Sequence, residues 1–378
     1  MQVYFDNAAT TPLDPEVFES MEPFLLHHYG NPSSIHAHGR QVRSAIEQSR
    51  RIVADLLNTS PAEIFFTSGG TEADNTAISC SLQSGKIDHI ITSRIEHHAV
   101  LHTVQYLEQQ GTGVSYVELD RHGNINLDHL QELLKMRGSS LVSLMHANNE
   151  IGNLTDIQRV GDMCREHGAV FHSDTVQAMA HYKHHLQEID VHCIVGSAHK
   201  FHGPKGIGFL YIKADHKIHP FIHGGAQERN MRGGTENVAG IVGLAKALEI
   251  AYNKMEEHRR HIQGLKDYMI EQLKEKIPGI TFNGLSVYPD KSLYTVLNVS
   301  LPPSDDNEML LFNLDISGIS ASGGSACTSG SNLGSHVLSV LGADRSRGSV
   351  RFSFSKFNTR EEVDYVVEKV ADLYKVKA

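Results

Sequence analysis

Ile194-Val195-Gly196-Ser197-Ala198-His199-Lys200 runs an apolar stretch straight into a lysine. Ala169-Val170-Phe171-His172-Ser173-Asp174-Thr175-Val176-Gln177 does the same for a carboxylate 26 residues earlier. Each run has the length and composition of a buried strand that ends on a chemically useful side chain. Around them the pattern repeats. The spacing predicts strands over 62–67, 87–92, 114–119, 140–145, 169–172, 191–195 and 206–212. Helical patterns over 71–82, 98–110, 127–136 and 157–167 separate the earlier ones. Strands alternating with helices imply βαβ units, hence an α/β fold with a mostly parallel central sheet covered on both faces. The last strands have no helix between them, which predicts a mixed sheet.

Beyond Gly240 the pattern changes. Ile241, Leu244, Leu248, Tyr252 and Met255 recur at helical spacing and predict one long bridging helix. After it come a strand over 295–301, helices over 307–315 and 335–341, and a strand over 349–354. Thr359 with Glu362 forms a capping box for a last amphipathic helix. The expected organisation is an N-terminal arm over 1–15 associated with the small domain, a large domain over 16–250, and a smaller α+β domain over 251–378.

A formal net charge of -10 argues against a nucleic acid or an anionic membrane as the main partner. No apolar run reaches the length of a membrane span, and the first residues show no secretory pattern, so the expected location is cytoplasmic. Cys80, Cys164 and Cys193 sit in apolar-periodic stretches and read as small buried hydrophobes. The 25 histidines include adjacent pairs that face different ways, with no HExxH, and predict no metal site.

A lysine at the end of one buried strand, with a carboxylate at the end of its neighbour, suits pyridoxal phosphate. The amine forms a Schiff base, and the acid keeps the pyridine nitrogen protonated. Thr67-Ser68-Gly69-Gly70-Thr71-Glu72 joins a strand to a helix and makes a phosphate cradle from a helix N-terminus. Ser197 and His199 are placed to add donors to the same phosphate. Cys327 lies in Gly324-Ser325-Ala326-Cys327-Thr328-Ser329-Gly330, which is too small and polar to pack a core, and so reads as a nucleophile.

Further segments join these: Tyr4-Phe5-Asp6-Asn7-Ala8-Ala9-Thr10-Thr11-Pro12, Glu96-His97-His98-Ala99-Val100, Asn148-Asn149-Glu150-Ile151-Gly152 and Gly233-Gly234-Thr235-Glu236-Asn237. In this order, over nearly the whole chain, they resemble the cysteine desulfurase family of class V aminotransferase-fold enzymes, on the NifS and IscS side. The resemblance implies fold type I, the aspartate aminotransferase-like architecture of pyridoxal-phosphate-dependent transferases. It also implies roles. Lys200 would carry the cofactor, Asp174 would face its ring nitrogen, Gln177 its ring hydroxyl, and His98 would lie over the ring and move protons. Gly70, Thr71, Ser197 and His199 would hold the phosphate, joined by Thr235 from the second subunit of a homodimer. Asn149 and Arg351 would hold the substrate carboxylate, with Asn7 close by. A guanidinium fork suits a carboxylate in its own right. Cys327 would take sulfur from L-cysteine as a persulfide, release L-alanine, and pass the sulfur to an acceptor such as an iron–sulfur scaffold or a tRNA-thiolation enzyme. The rivals are another class V enzyme (an aminotransferase or a selenocysteine lyase) and a non-catalytic sulfur carrier or scaffold.

Overall fold

The computed structural model describes residues 1–83, 87–137, 139–323 and 334–374. A short strand, β1 (Val3–Tyr4), precedes two helices, α1 (Pro15–Leu26) and α2 (Ala37–Leu56). The alternating region follows as β2 (Ile64–Thr67), α3 (Gly70–Leu82), β3 (His89–Thr92), α4 (His98–Gln109), β4 (Gly113–Tyr116) and α5 (Leu127–Arg137). It continues through β5 (Ser140–Ser143), α6 (Ile157–His167), β6 (Val170–Ser173), β7 (Cys193–Ser197) and β8 (Gly208–Ile212).

These strands form one seven-stranded sheet in the order β2-β8-β7-β6-β5-β3-β4. Only β8 runs against its neighbours; the other pairings are parallel. The mixed, mostly parallel sheet expected from the sequence is therefore present. Strands β5, β7 and β8 are buried at every residue, as central strands covered on both faces must be. Gly208 is required here. A Cβ on it would stand 2.5 Å from the Gly196 carbonyl and 2.8 Å from the Gly69 backbone, so two neighbouring segments close in on it.

The expected single helix after Gly240 is two, α7 (Val238–Asn253) and α8 (Met255–Lys276), broken at Lys254, whose φ of -112° leaves the helical region. Beyond it come β9 (Thr281–Phe282), β10 (Val296–Pro303), α9 (Leu310–Ile316), β11 (Ile319–Ser320), α10 (His336–Val340), β12 (Arg347–Ser353) and α11 (Arg360–Leu373). Strands β12, β10 and β9 form an antiparallel sheet backed by α8 and α11. The capping box of Thr359 and Glu362 opens α11 as the sequence indicates. Val3 and Phe5 pack into the same apolar cluster as α8, β10, β12 and α11, and β1 pairs in parallel with β11. Helices α1 and α2 were not expected; they pack on α7 over the other core.

One buried charge lies between the two cores. Lys266 on α8 is 1% exposed and donates to the Ser292 hydroxyl (3.2 Å) and the Leu293 carbonyl (3.0 Å), with no ion pair among the described residues. Burial drives its pKa down to about 7, against a slight upward pull from Asp267. Between about 7 and 10.5 the unfolded chain binds more protons here than the folded one, so this site makes stability rise with pH. Lys266→Met should abolish that rise, as read from urea denaturation at the two ends of the window.

Candidate active site

The carboxyl ends of the parallel strands face a cleft with about 210 Å³ of room. This is where open α/β sheets place their ligands. Strand β6 ends at Ser173 and delivers Asp174; β7 ends at Ser197 and delivers His199 and Lys200 through one short 3-10 turn. Gly70, Thr71, Asn149, Asp174, Gln177, Ser197, His199, Lys200 and Arg351 all line the cleft. The sequence had singled out each of them.

The Lys200 amine lies against the N-terminal arm, donating to the carbonyls of Ala8 (2.6 Å) and Ala9 (2.9 Å). Gln177 also donates to Ala8 O, at 2.9 Å. His199 pairs through Nδ1 with the Thr10 hydroxyl at 3.2 Å. Asp174 is buried and accepts from the Val176 N–H at 2.9 Å. Burial raises its pKa and the Lys200 charge opposes the rise.

Arg351 reaches the cleft from β12 and is 1% exposed. It donates to Asn149 O and to the Asp6 carboxylate, each at 2.8 Å, while its Nε and Asn149 Oδ1 are buried without a partner among the described residues. Asp6 also accepts from the Ser322 hydroxyl at 2.8 Å. Asp6 was not among the expected site residues, although it stands within the quoted N-terminal segment. Asn7, expected close by, directly precedes Ala8 of the cleft wall. Its amide donates to Ser353 O at 2.8 Å, tying the arm to β12, and it does not line the cleft.

Of the adjacent pair, His97 lines the cleft and His98, the residue expected there, does not. His97 is the N-cap of α4, with extended backbone angles, and accepts from the Ala99 N–H at 3.2 Å. His98 is the first helical residue and turns away. Its ring lies 4.8 Å from His102 and 4.5 Å from His336, and neither of its nitrogens has a hydrogen bond. Successive residues at a helix start diverge, so a one-residue displacement changes the side facing the cleft. Burial, with Lys200 and two other histidines adding to it, lowers the His97 pKa to about 4, which leaves the ring neutral near pH 7.

Asp74, in the cleft wall, was also missed. It is 1% exposed, 3.3 Å from His172 Nε2, and its pKa is driven well up by burial, Asp174 and Glu96. Glu96 is pushed up to about 8 by burial. Thr235 lies outside this cleft, in a hollow with Ser68, Arg232 and Asn237. Cys327 lies outside the described residues. Among the described residues no three His, Cys, Asp or Glu side chains are arranged to hold a metal ion.

The cleft suits pyridoxal phosphate on its own chemistry. A Cβ on Gly70 would stand 2.7 Å from a Val176 methyl, so only glycine leaves the start of α3 open beside Ser197. Helix N–H groups there face an anion favourably. Asp174, Asp74 and Glu96 couple to one another with Lys200 as the cation acting on Asp174, and a protonated ring nitrogen would add the positive charge this set lacks.

The aminotransferase class-V family matches residues 3–366. Cysteine desulfurase IscS of Dictyoglomus turgidum is 43% identical over 371 residues, 97% of this chain and 93% of that protein. A solved NifS-like protein superposes with a TM-score of 0.91 at 38% identity, covering 99% of each chain. A second solved structure, SspA in complex with cysteine, gives a TM-score of 0.82 at 31% identity, over 95% of this chain and 100% of the other.

Removing the Asp6 carboxylate should leave a buried guanidinium half-paired. Asp6→Ala is expected to cost on the order of 3 kcal/mol in urea denaturation, with Asp6→Asn costing less.

Proposed function

The chain belongs to the class V aminotransferase family, and on that footing we propose that it acts as a pyridoxal-phosphate-dependent cysteine desulfurase, converting L-cysteine to L-alanine. The observation that carries the reading is the convergence of Lys200, Asp174 and Arg351 in one cleft. When bound, the cofactor supplies an electron sink that acidifies the substrate Cα–H.

The rest is done by the chain. Lys200 holds the cofactor and moves the Cα proton; the Ala8 and Ala9 carbonyls position its amine. Asp174 would face the ring nitrogen, and Gln177 would bond the ring hydroxyl. Gly70, Thr71, Ser197 and His199 take the phosphate. Arg351, oriented by Asp6, holds the substrate carboxylate together with Asn149. His97, neutral and facing the cleft, takes the place expected of His98 in proton transfer.

The thiolate of Cys327 attacks the substrate sulfur. An S–S bond forms as the C–S bond breaks, the electron pair left on carbon takes a proton, and the product leaves as L-alanine. The persulfide then passes to a sulfur acceptor, an iron–sulfur scaffold or a tRNA-thiolation enzyme. We place the enzyme in the cytoplasm as a homodimer in which Thr235 reaches the phosphate of the other subunit. Among the described residues no helix is long and apolar enough to cross a membrane.

Cys327→Ala should abolish persulfide formation and sulfur release while keeping the visible absorbance of the bound cofactor. Desulfuration at the wild-type rate would point instead to a lyase or aminotransferase of the same family. The two histidines separate cleanly. His97→Gln should slow alanine formation about 100-fold or more, whereas His98→Gln should change it only modestly.

A further inference from the structure

A second cavity lies behind Lys200. It shares Ala8, Gln177 and Lys200 with the cofactor cleft, and it shares Asp14, His258 and Lys356 with an open groove at the protein surface. The groove runs between the start of α8 and the turn at Lys356 and Phe357, with about 680 Å³ of space. The cavity itself leaves about 30 Å³ for water centres, room for about two water molecules. Cleft, cavity and groove therefore form a series with the lysine amine at one internal junction and solvent at the far end.

The walls suit proton traffic. Asp14 and Lys356 form an ion pair at the outer junction, both side chains largely buried. His258 stands beside them, its pKa lowered by burial and by Lys356, so it is neutral and able to accept a proton near pH 7. Inside, His202 Nδ1 donates to Pro12 O at 2.9 Å, which leaves Nε2 as an acceptor. Burial likewise keeps this ring neutral, with a pKa of about 4. The cavity thus offers water polar partners at both ends.

We infer that Lys200 exchanges protons with bulk solvent through this rear cavity, entered between Asp14, His258 and Lys356, and not through the cleft that cofactor and substrate fill. The proposal rests on the desulfurase reading and adds to it the route by which the working amine stays in protonic contact with water. The lysine ammonium gives its proton to a cavity water, which hands one outward to the groove directly or by way of His258; the return runs in reverse. No proton is gained or lost overall. A proton taken from the substrate Cα is thereby mixed with solvent protons before one is given back.

The test follows the label. L-Cysteine deuterated at Cα is turned over in ordinary water by the holoenzyme, and the deuterium in the alanine is measured by mass spectrometry. Wild type should yield alanine with little substrate-derived deuterium. Ala251→Leu extends a cavity-wall residue into the space and should raise the retained deuterium several-fold while alanine is still formed. His258→Phe, which removes the outer acceptor and narrows the entrance, should move it the same way. Crystal structures of the cofactor-free proteins supply a readout independent of turnover: ordered water behind Lys200 in wild type, displaced in Ala251→Leu. A dry wild-type cavity overturns the route. So does unchanged deuterium content in both variants with the cavity shown to be filled. Failure of wild type to form alanine at all would sink the desulfurase reading itself, and the rear route with it.

Discussion

Residues 6–11 are the strip on which the site depends. They cross between two hydrophobic cores, pinned on one side by Asn7 and Ala8 bonding to Ser353 of β12. On the other side the Thr11 N–H donates to His199 O at 2.9 Å. From this strip Asp6 holds Arg351, Ala8 holds both Lys200 and Gln177, Ala9 holds Lys200, and Thr10 holds His199. Backbone carbonyls make good positioning partners, since they neither titrate nor change rotamer. The cost is that every such contact depends on the path of the strip. That path is set by Val3 and Phe5 packing under β10 and β12. A core contact remote from the cleft thereby sets the position of the Lys200 amine.

The electrostatics of the cleft follow from what surrounds Asp174. It shares a dry region with Asp74 and Glu96, and its charge adds to burial in raising the pKa of both. Such a cluster accommodates a cation readily, because a positive charge relieves repulsion as well as adding attraction. Asp174 thus sits among other buried acids, with Lys200 opposing the rise that burial gives it. Burial is what keeps His97 neutral. Desolvation is the largest influence on it, and Lys200, His336 and His102 push in the same direction.

Most of this was legible in the sequence, for identifiable reasons. The alternation of buried strands and amphipathic helices gives the sheet its character, and Lys200 and Asp174 lie just past strands whose ends are marked by a change from apolar to polar residues. Several features were less legible. Which of His97 and His98 lines the cleft cannot be read from an adjacent pair at a helix start without knowing which residue is the N-cap. Asp6 was passed over because its partner, Arg351, lies 345 residues away in the chain. Helices α1 and α2 were missed; α1 starts after an Asp14-Pro15 cap that reads equally well as a turn, and it is stabilised by packing on α7. Long-range pairing and one-residue register are what a linear reading carries least.

The abundance of histidine, which invites a metal reading, has a different physical basis. His172 bonds Ser143, His89 bonds Ser115, His181 bonds Tyr294, and His146 and His184 bond each other at 3.0 Å. Burial lowers the pKa of each, to about 3 for His172 and His181 and about 4 for His146. A neutral imidazole has one donor and one acceptor, so it can close a short hydrogen-bonded chain in a core without bringing a charge inside. These rings face hydroxyls and other rings one at a time, not a common centre with converging lone pairs. They serve as compact polar joints between strands and loops, and those around Lys200 and its rear cavity are the ones whose neutrality bears on proton movement.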